Sequence, residues 1–181
     1  RGVPIAKSLP LGIMLEVPSV ATVVDQLAEH VEFFSLGTND LCQYWMAAER
    51  GNPGVAALGD PRQPSFLRLL KLIVAGARAH NRWVGVCGEM AGDPKNLPLM
   101  IGLGVDEISV APGAVAPLKA AIKAASAHEC RRLLDLACMV RSAEEVSTLL
   151  DTPAWRSTET RPITEPEIIA FGSSASTKEE A

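Results

Sequence analysis

Three short apolar runs in this chain each stop at residues that can do chemistry. GIMLEVP (Gly12 to Pro18) leads to Glu16, FFSLGTNDL (Phe33 to Leu41) to Asn39 and Asp40, and WVGVCGEMAGD (Trp83 to Asp93) to Cys87. If the runs are neighbouring parallel strands, Glu16 and Asp40 stand at matched ends and can hold a hard cation through one carboxylate oxygen each. Magnesium takes one or two protein carboxylates and fills its other sites with water and substrate phosphate. A single strand-end acid more often caps a helix or meets a surface lysine; two at corresponding ends favour a metal. Arg50, in the loop that follows, carries the planar fork that clamps a phosphoryl group, although an isolated loop arginine is as a rule simply solvated.

Cys87 has Gly85 and Gly88 close by, which leaves its sulfur open to a ligand and lets the backbone approach closely. Such a thiol could serve as a nucleophile or as a general acid. Burial as a small hydrophobe is the commoner fate of a cysteine, and it is the reading for Cys42, Cys130 and Cys138. No CxxC spacing and no paired histidines indicate zinc or redox chemistry, so four reduced thiols are expected. His30, His80 and His128 fall on helix faces or ends, outside any catalytic setting.

The elements that must position these residues alternate strand and helix, an α/β pattern. After GIMLEVP, residues 19 to 31 put Val20, Val23, Val24, Leu27, Ala28 and Val31 on one helical face. FFSLGT is the next strand, followed by a polar loop through Arg50 and Pro53. A helix from about Ser65 to His80 leads to the strand WVGVCGEM. Asp93 and Pro94 form an N-cap and first-turn pair for a helix to about Gly102, and Gly104 suits the turn beyond it. Glu107 to Val110 is a fourth strand. Four parallel strands with right-handed crossovers fit half a barrel or an open sheet, and in a barrel the polar strand ends would form the active site. Pro117 to Leu150 reads as wholly helical, with a Ser142 and Glu145 capping box. Asp151 to Pro166 reads as a linker, and Glu167 to Phe171 as a strand before a Ser176 and Glu179 capping box.

The chain has 181 residues, 48% of them hydrophobic, and a formal net charge of -4, so a globular domain is expected and no basic face for nucleic acid is present. No apolar run reaches the roughly 20 residues of a membrane span, and the opening residues lack a signal-peptide core. A cytoplasmic protein is expected, as a piece of a longer polypeptide.

In their order and spacing, GIMLEVP, FFSLGTNDLCQYWMAAER, WVGVCGEMAGDP and LGVDEISVAP resemble the carboxyl-terminal half of enzyme I of the sugar phosphotransferase system, the phosphoenolpyruvate-protein phosphotransferase, over about residues 10 to 150. From Arg156 onward, RSTETRPITEPEIIAFGSSASTKEEA resembles the opening of a fructose-type enzyme IIA domain. Together they imply a multiphosphoryl transfer protein. The fold implied is α/β: the second half, four β/α units, of a TIM (β/α)8 barrel with C-terminal helices over 1–150, a linker over 151–166, and the truncated start of an enzyme IIA-like domain over 167–181.

The resemblance further implies that Glu16 and Asp40 bind Mg2+, that Asn39, Asp40 and Arg50 contact phosphoenolpyruvate, and that Cys87 protonates the enolate to give pyruvate. The phosphoryl group would pass to a histidine outside this chain and on to the carrier HPr. The complete protein would be a homodimer that neither binds nucleic acid nor inserts in a membrane, and the isolated fragment would be inactive. Further phosphate-holding arginines would lie upstream of Arg1. Glu49 stands where the family usually has Asp. Pyruvate phosphate dikinase and phosphoenolpyruvate synthase share the barrel and similar motifs. The same residues could also serve a free-standing phosphoenolpyruvate or pyruvate lyase, or a non-catalytic sensor that binds phosphoenolpyruvate.

Overall fold

A computed structural model of the chain describes residues 6–156. The apolar runs form strands β1 (Gly12–Leu15), β2 (Phe33–Gly37), β3 (Trp83–Cys87) and β4 (Glu107–Ile108). They pair in parallel in the order β1-β2-β3-β4, as the alternation of patterns predicts. β4 is shorter than expected.

Side chains alternate across a strand, and here the two faces of the sheet differ. Leu15, Phe34, Leu36, Val84 and Val86 point to one face and are buried. They share an apolar cluster with residues of helices α1 (Val24–Ala28) and α3 (Pro64–Ala79) and the later α5 (Leu97–Leu103). The opposite face carries Met14, Phe33, Trp83 and Cys87, with Met14 48% exposed and Trp83 36%. On that face the rings of Phe33 and Trp83 stack at 4.3 Å. Parallel sheets are ordinarily covered on both faces; among the described residues only one is covered.

Several elements differ from expectation. The amphipathic helix over 19–31 is broken into a 3₁₀ turn, Pro18–Thr22, and the short α1. Its run of β-branched residues (Val20, Thr22, Val23, Val24) loses side-chain freedom in a helix, and Val31 buries itself beyond the helix end. The polar loop expected after β2 begins instead as helix α2 (Thr38–Met46), which buries Leu41 and Cys42. α4 (Glu89–Gly92) follows β3 directly. Asp93 accepts from the Lys95 N–H at 2.9 Å, capping a 3₁₀ turn that leads into α5.

The C-terminal helices are α6 (Pro112–Lys123), α7 (Ala127–Ala137) and α8 (Ala143–Leu150). α6 starts before Pro117 and contains it. Ser142 Oγ accepts from the Glu145 N–H, while the Glu145 carboxylate reaches back to the Arg141 N–H at 3.0 Å, one residue ahead of a strict capping box. The first residues of the expected linker pack on this layer: Trp155 is buried and its carbonyl accepts from the Ser126 N–H. A large indole gains more by burial than a solvated linker allows. The strand and capping box expected within 167–181 lie outside the described residues.

Candidate functional site

Register brings the expected residues of β1 and β3 to one level. Leu15 pairs with Leu36 and Gly37 with Cys87, so Glu16, one step past β1, stands beside Gly37 and Cys87 at the carboxyl end of the sheet. Glu16 lies against Gly37: a Cβ at position 37 would come within 3.0 Å of its Cγ and 3.2 Å of its Oε2. The absent side chain at 37 leaves room between a carboxylate on one strand and a thiol two strands away. Cys87 is half-buried on the uncovered face, and its Sγ lies 3.5 Å from the Leu36 carbonyl oxygen and 3.8 Å from Met14 Sδ.

α2 supplies the next pieces from its first turn. Thr38, 1% exposed, donates from Oγ1 to the Cys87 carbonyl at 2.6 Å. Asn39 Oδ1 accepts from the Glu89 N–H at 2.9 Å, which leaves the Asn39 amide NH2 as its free donor. Between these contacts lies Gly88 at φ 93, where a Cβ would come within 2.6 Å of Thr38 Oγ1 and 2.8 Å of Asn39 Oδ1. A positive φ and this close approach both require glycine.

Arg50 comes back over the same helix. Its backbone N–H donates to Gln43 Oε1 at 2.8 Å, its Nη2 donates to Glu89 Oε1 at 3.1 Å, and its Nη1 lies 3.7 Å from Asp40 Oδ1. Asn39, Gln43, Arg50 and Glu89 border a cavity of about 400 Å³ whose inner wall includes Cys42. Glu16, Asp40 and Cys87 lie outside that lining. The expected residues therefore fall into two adjoining groups, Glu16 and Cys87 on the sheet face and Asn39 and Arg50 at the cavity, with Asp40 reaching the second group through Arg50.

Sequence reasoning passed over Thr38 and Glu89. Both sit inside the apolar-run motifs, beside Asn39 and two residues after Cys87, and a hydroxyl at the opening of a helical turn was the available signal for the first. For a divalent cation, no group of three or more His, Cys, Asp or Glu side chains converges among the described residues. Glu16 and Asp40 each carry hard oxygen donors of the kind magnesium takes, and they fall in the two different groups.

The other three thiols are structural. Burial first, then the charge of Asp60, pushes Cys42 up to about 11. Burial likewise pushes Cys130 up to about 11 and raises Cys138.

Residues 1–127 match the family described as PEP-utilising enzyme, PEP-binding domain. Over 176 residues the chain is 42% identical to multiphosphoryl transfer protein 1 of Escherichia coli strain K12, covering 97% of this chain and 21% of that protein. It is 47% identical over 147 residues to the phosphoenolpyruvate-protein phosphotransferase of Haloferax volcanii, covering 81% of this chain and 26% of that one. The corresponding protein of Geobacillus stearothermophilus is 42% identical over 146 residues, 81% of this chain and 25% of that protein. The chain thus spans about a quarter or less of the length of the curated relatives it matches.

Proposed function

The chain belongs to the PEP-utilising enzymes through their PEP-binding domain, and on that premise we propose that it carries the phosphoenolpyruvate site of a phosphoenolpyruvate-protein phosphotransferase. Residues 1–150 are read as the second half, four β/α units, of a (β/α)8 barrel. Consecutive strand order and helices against a single face support this, because in a closed barrel the bare face becomes the interior, filled by residues from the remaining strands. No helix among the described residues is long and apolar enough to cross a membrane. A cytoplasmic setting is part of the same reading.

The observation that carries the reading is the alignment of Glu16, Gly37 and Cys87 across three strands at their carboxyl ends. Glu16 and Asp40 would hold Mg2+, which supplies charge neutralisation for the phosphoryl group and the enolate oxygen. Asn39, through its amide NH2, and Arg50 would donate to phosphoryl oxygens. Transfer breaks the bond between phosphorus and the enolate oxygen and forms one from phosphorus to a histidine nitrogen on another part of the protein. The enolate that remains takes a proton at carbon from the Cys87 thiol, giving pyruvate and a thiolate that solvent reprotonates. HPr would be the next acceptor, an enzyme IIA-like module would begin beyond residue 166, and the complete protein would be a homodimer.

The test is Cys87→Ala in the full-length protein. It should bind phosphoenolpyruvate in the presence of magnesium, followed calorimetrically, yet lose pyruvate release; unchanged turnover would show that another group protonates the enolate.

A further inference from the structure

Arg50 is the cation best placed to meet a phosphoryl group at the cavity, and the described structure gives it a carboxylate partner that is not among the phosphate-binding residues. Its Nη2 donates to Glu89 Oε1 at 3.1 Å, whereas Asp40, the other nearby acid, stays at 3.7 Å. Both ends of the pair are anchored through the backbone. The Glu89 N–H is held by Asn39 Oδ1 at 2.9 Å, the turn before it is set by Gly88, and the Arg50 N–H is held by Gln43 Oε1 at 2.8 Å. Both side chains border the same cavity of about 400 Å³.

A carboxylate presents two oxygens to a guanidinium much as a phosphoryl group presents two of its three. We propose that Glu89 is a placeholder carboxylate that occupies the Arg50 guanidinium at the cavity while it is free of ligand and gives it up to an incoming phosphoryl group. This rests on the phosphoryl-site reading of Asn39 and Arg50 given above. Glu89 is 81% exposed and Arg50 46%. Exposed pairs of this kind are weak and screened by salt, so incoming phosphoryl oxygens can displace Glu89 from the arginine. The exchange is one of partners: Glu89 returns to water as the phosphoryl oxygens take its place on Nη2. Phosphoryl binding then includes the loss of one ion pair, which removal of the Glu89 charge would eliminate.

The experiment uses the full-length protein and compares wild type with Glu89→Gln, Arg50→Gln and the double variant. KM for phosphoenolpyruvate is measured in saturating magnesium, together with the dissociation constant of inorganic phosphate, across a range of sodium chloride. Thermal melting of each variant checks folding. Glu89→Gln is expected to lower KM and the phosphate dissociation constant about twofold to fivefold at low salt, the range an exposed ion pair supports, with the difference shrinking at high salt. In the Arg50→Gln background the same substitution should have no effect, since the two residues act through one contact. Unchanged or weakened binding in Glu89→Gln, or an equal effect in the Arg50→Gln background, overturns the role of Glu89. If Arg50→Gln itself binds both ligands as wild type does, the phosphoryl-site reading fails, and the proposal with it.

Discussion

The Thr38 hydroxyl donates to the Cys87 carbonyl at 2.6 Å, tying the first residue of α2 to the last residue of β3. The bond crosses from one strand end to the next and sets the backbone from which the thiol projects. Thr38→Val keeps the shape and leaves that carbonyl without its donor, which costs about 1–3 kcal/mol. Chemical denaturation should report the loss, and Thr38→Ser should recover most of it.

Gly88 is expected to be the least tolerant position of the site. Gly88→Ala places a methyl at φ 93 within 2.6 Å of Thr38 Oγ1 and 2.8 Å of Asn39 Oδ1, a steric clash with both. Backbone strain of about 1–3 kcal/mol adds to the loss of the contact from Asn39 to the Glu89 N–H. A melting temperature equal to that of wild type would contradict this geometry.

Of the four thiols, Cys87 alone is not buried. Iodoacetamide under native conditions should therefore modify Cys87 well before Cys42, Cys130 or Cys138, as peptide mass analysis would show. On the proposed function, phosphoenolpyruvate with magnesium should slow that modification in the full-length protein.

The buried thiols give the fold an alkaline limit. Cys42 and Cys130 are pushed up to about 11 by burial, above the roughly 8.5 of a thiol in an unfolded chain. In that window the unfolded state releases a proton that the folded state keeps. Their contribution is thus complete below the unfolded value and is lost as pH rises towards the folded one, by up to about 1.4 kcal/mol per pH unit for each thiol. The urea midpoint should fall from about pH 8.5 upwards, and Cys42→Ala with Cys130→Ala should flatten that fall even if they lower stability at neutral pH.

Glu16→Gln and Asp40→Asn test the metal site directly. Each keeps size and removes a hard anionic donor. Magnesium-dependent phosphoenolpyruvate binding in the full-length protein should weaken at least tenfold in both, while metal-independent melting stays near wild type. Retained magnesium dependence in both variants would remove these residues from the metal site.

Much of the framework was legible because it depends on local pattern. Short apolar runs followed by polar residues became β1, β2 and β3, and the Pro64–Ala79 helix matched its apolar spacing within a residue at each end. The exception in the site itself was α2. Its opening Thr38, Asn39 and Asp40 have the composition of a loop, and its buried apolar residues, Leu41 and Cys42, are too few to impose a period; its docking is decided by partners on other elements. The break in the 19–31 segment has the opposite origin, an apolar spacing that fits a helix carried by β-branched residues that do not favour one.

By itself the sequence determined the order of the four strands, the strand-end location of Glu16 and Cys87, and the burial of the other three cysteines, since each follows from periodicity and hydrophobicity along a few neighbouring residues. Tertiary structure alone decided that Gly37 makes room between Glu16 and Cys87, that Asn39 turns its carbonyl to the Glu89 N–H, and that Arg50 meets Glu89. These relations join residues on different elements across the sheet end, and their geometry exists only once parallel pairing has fixed the register of one strand against the next.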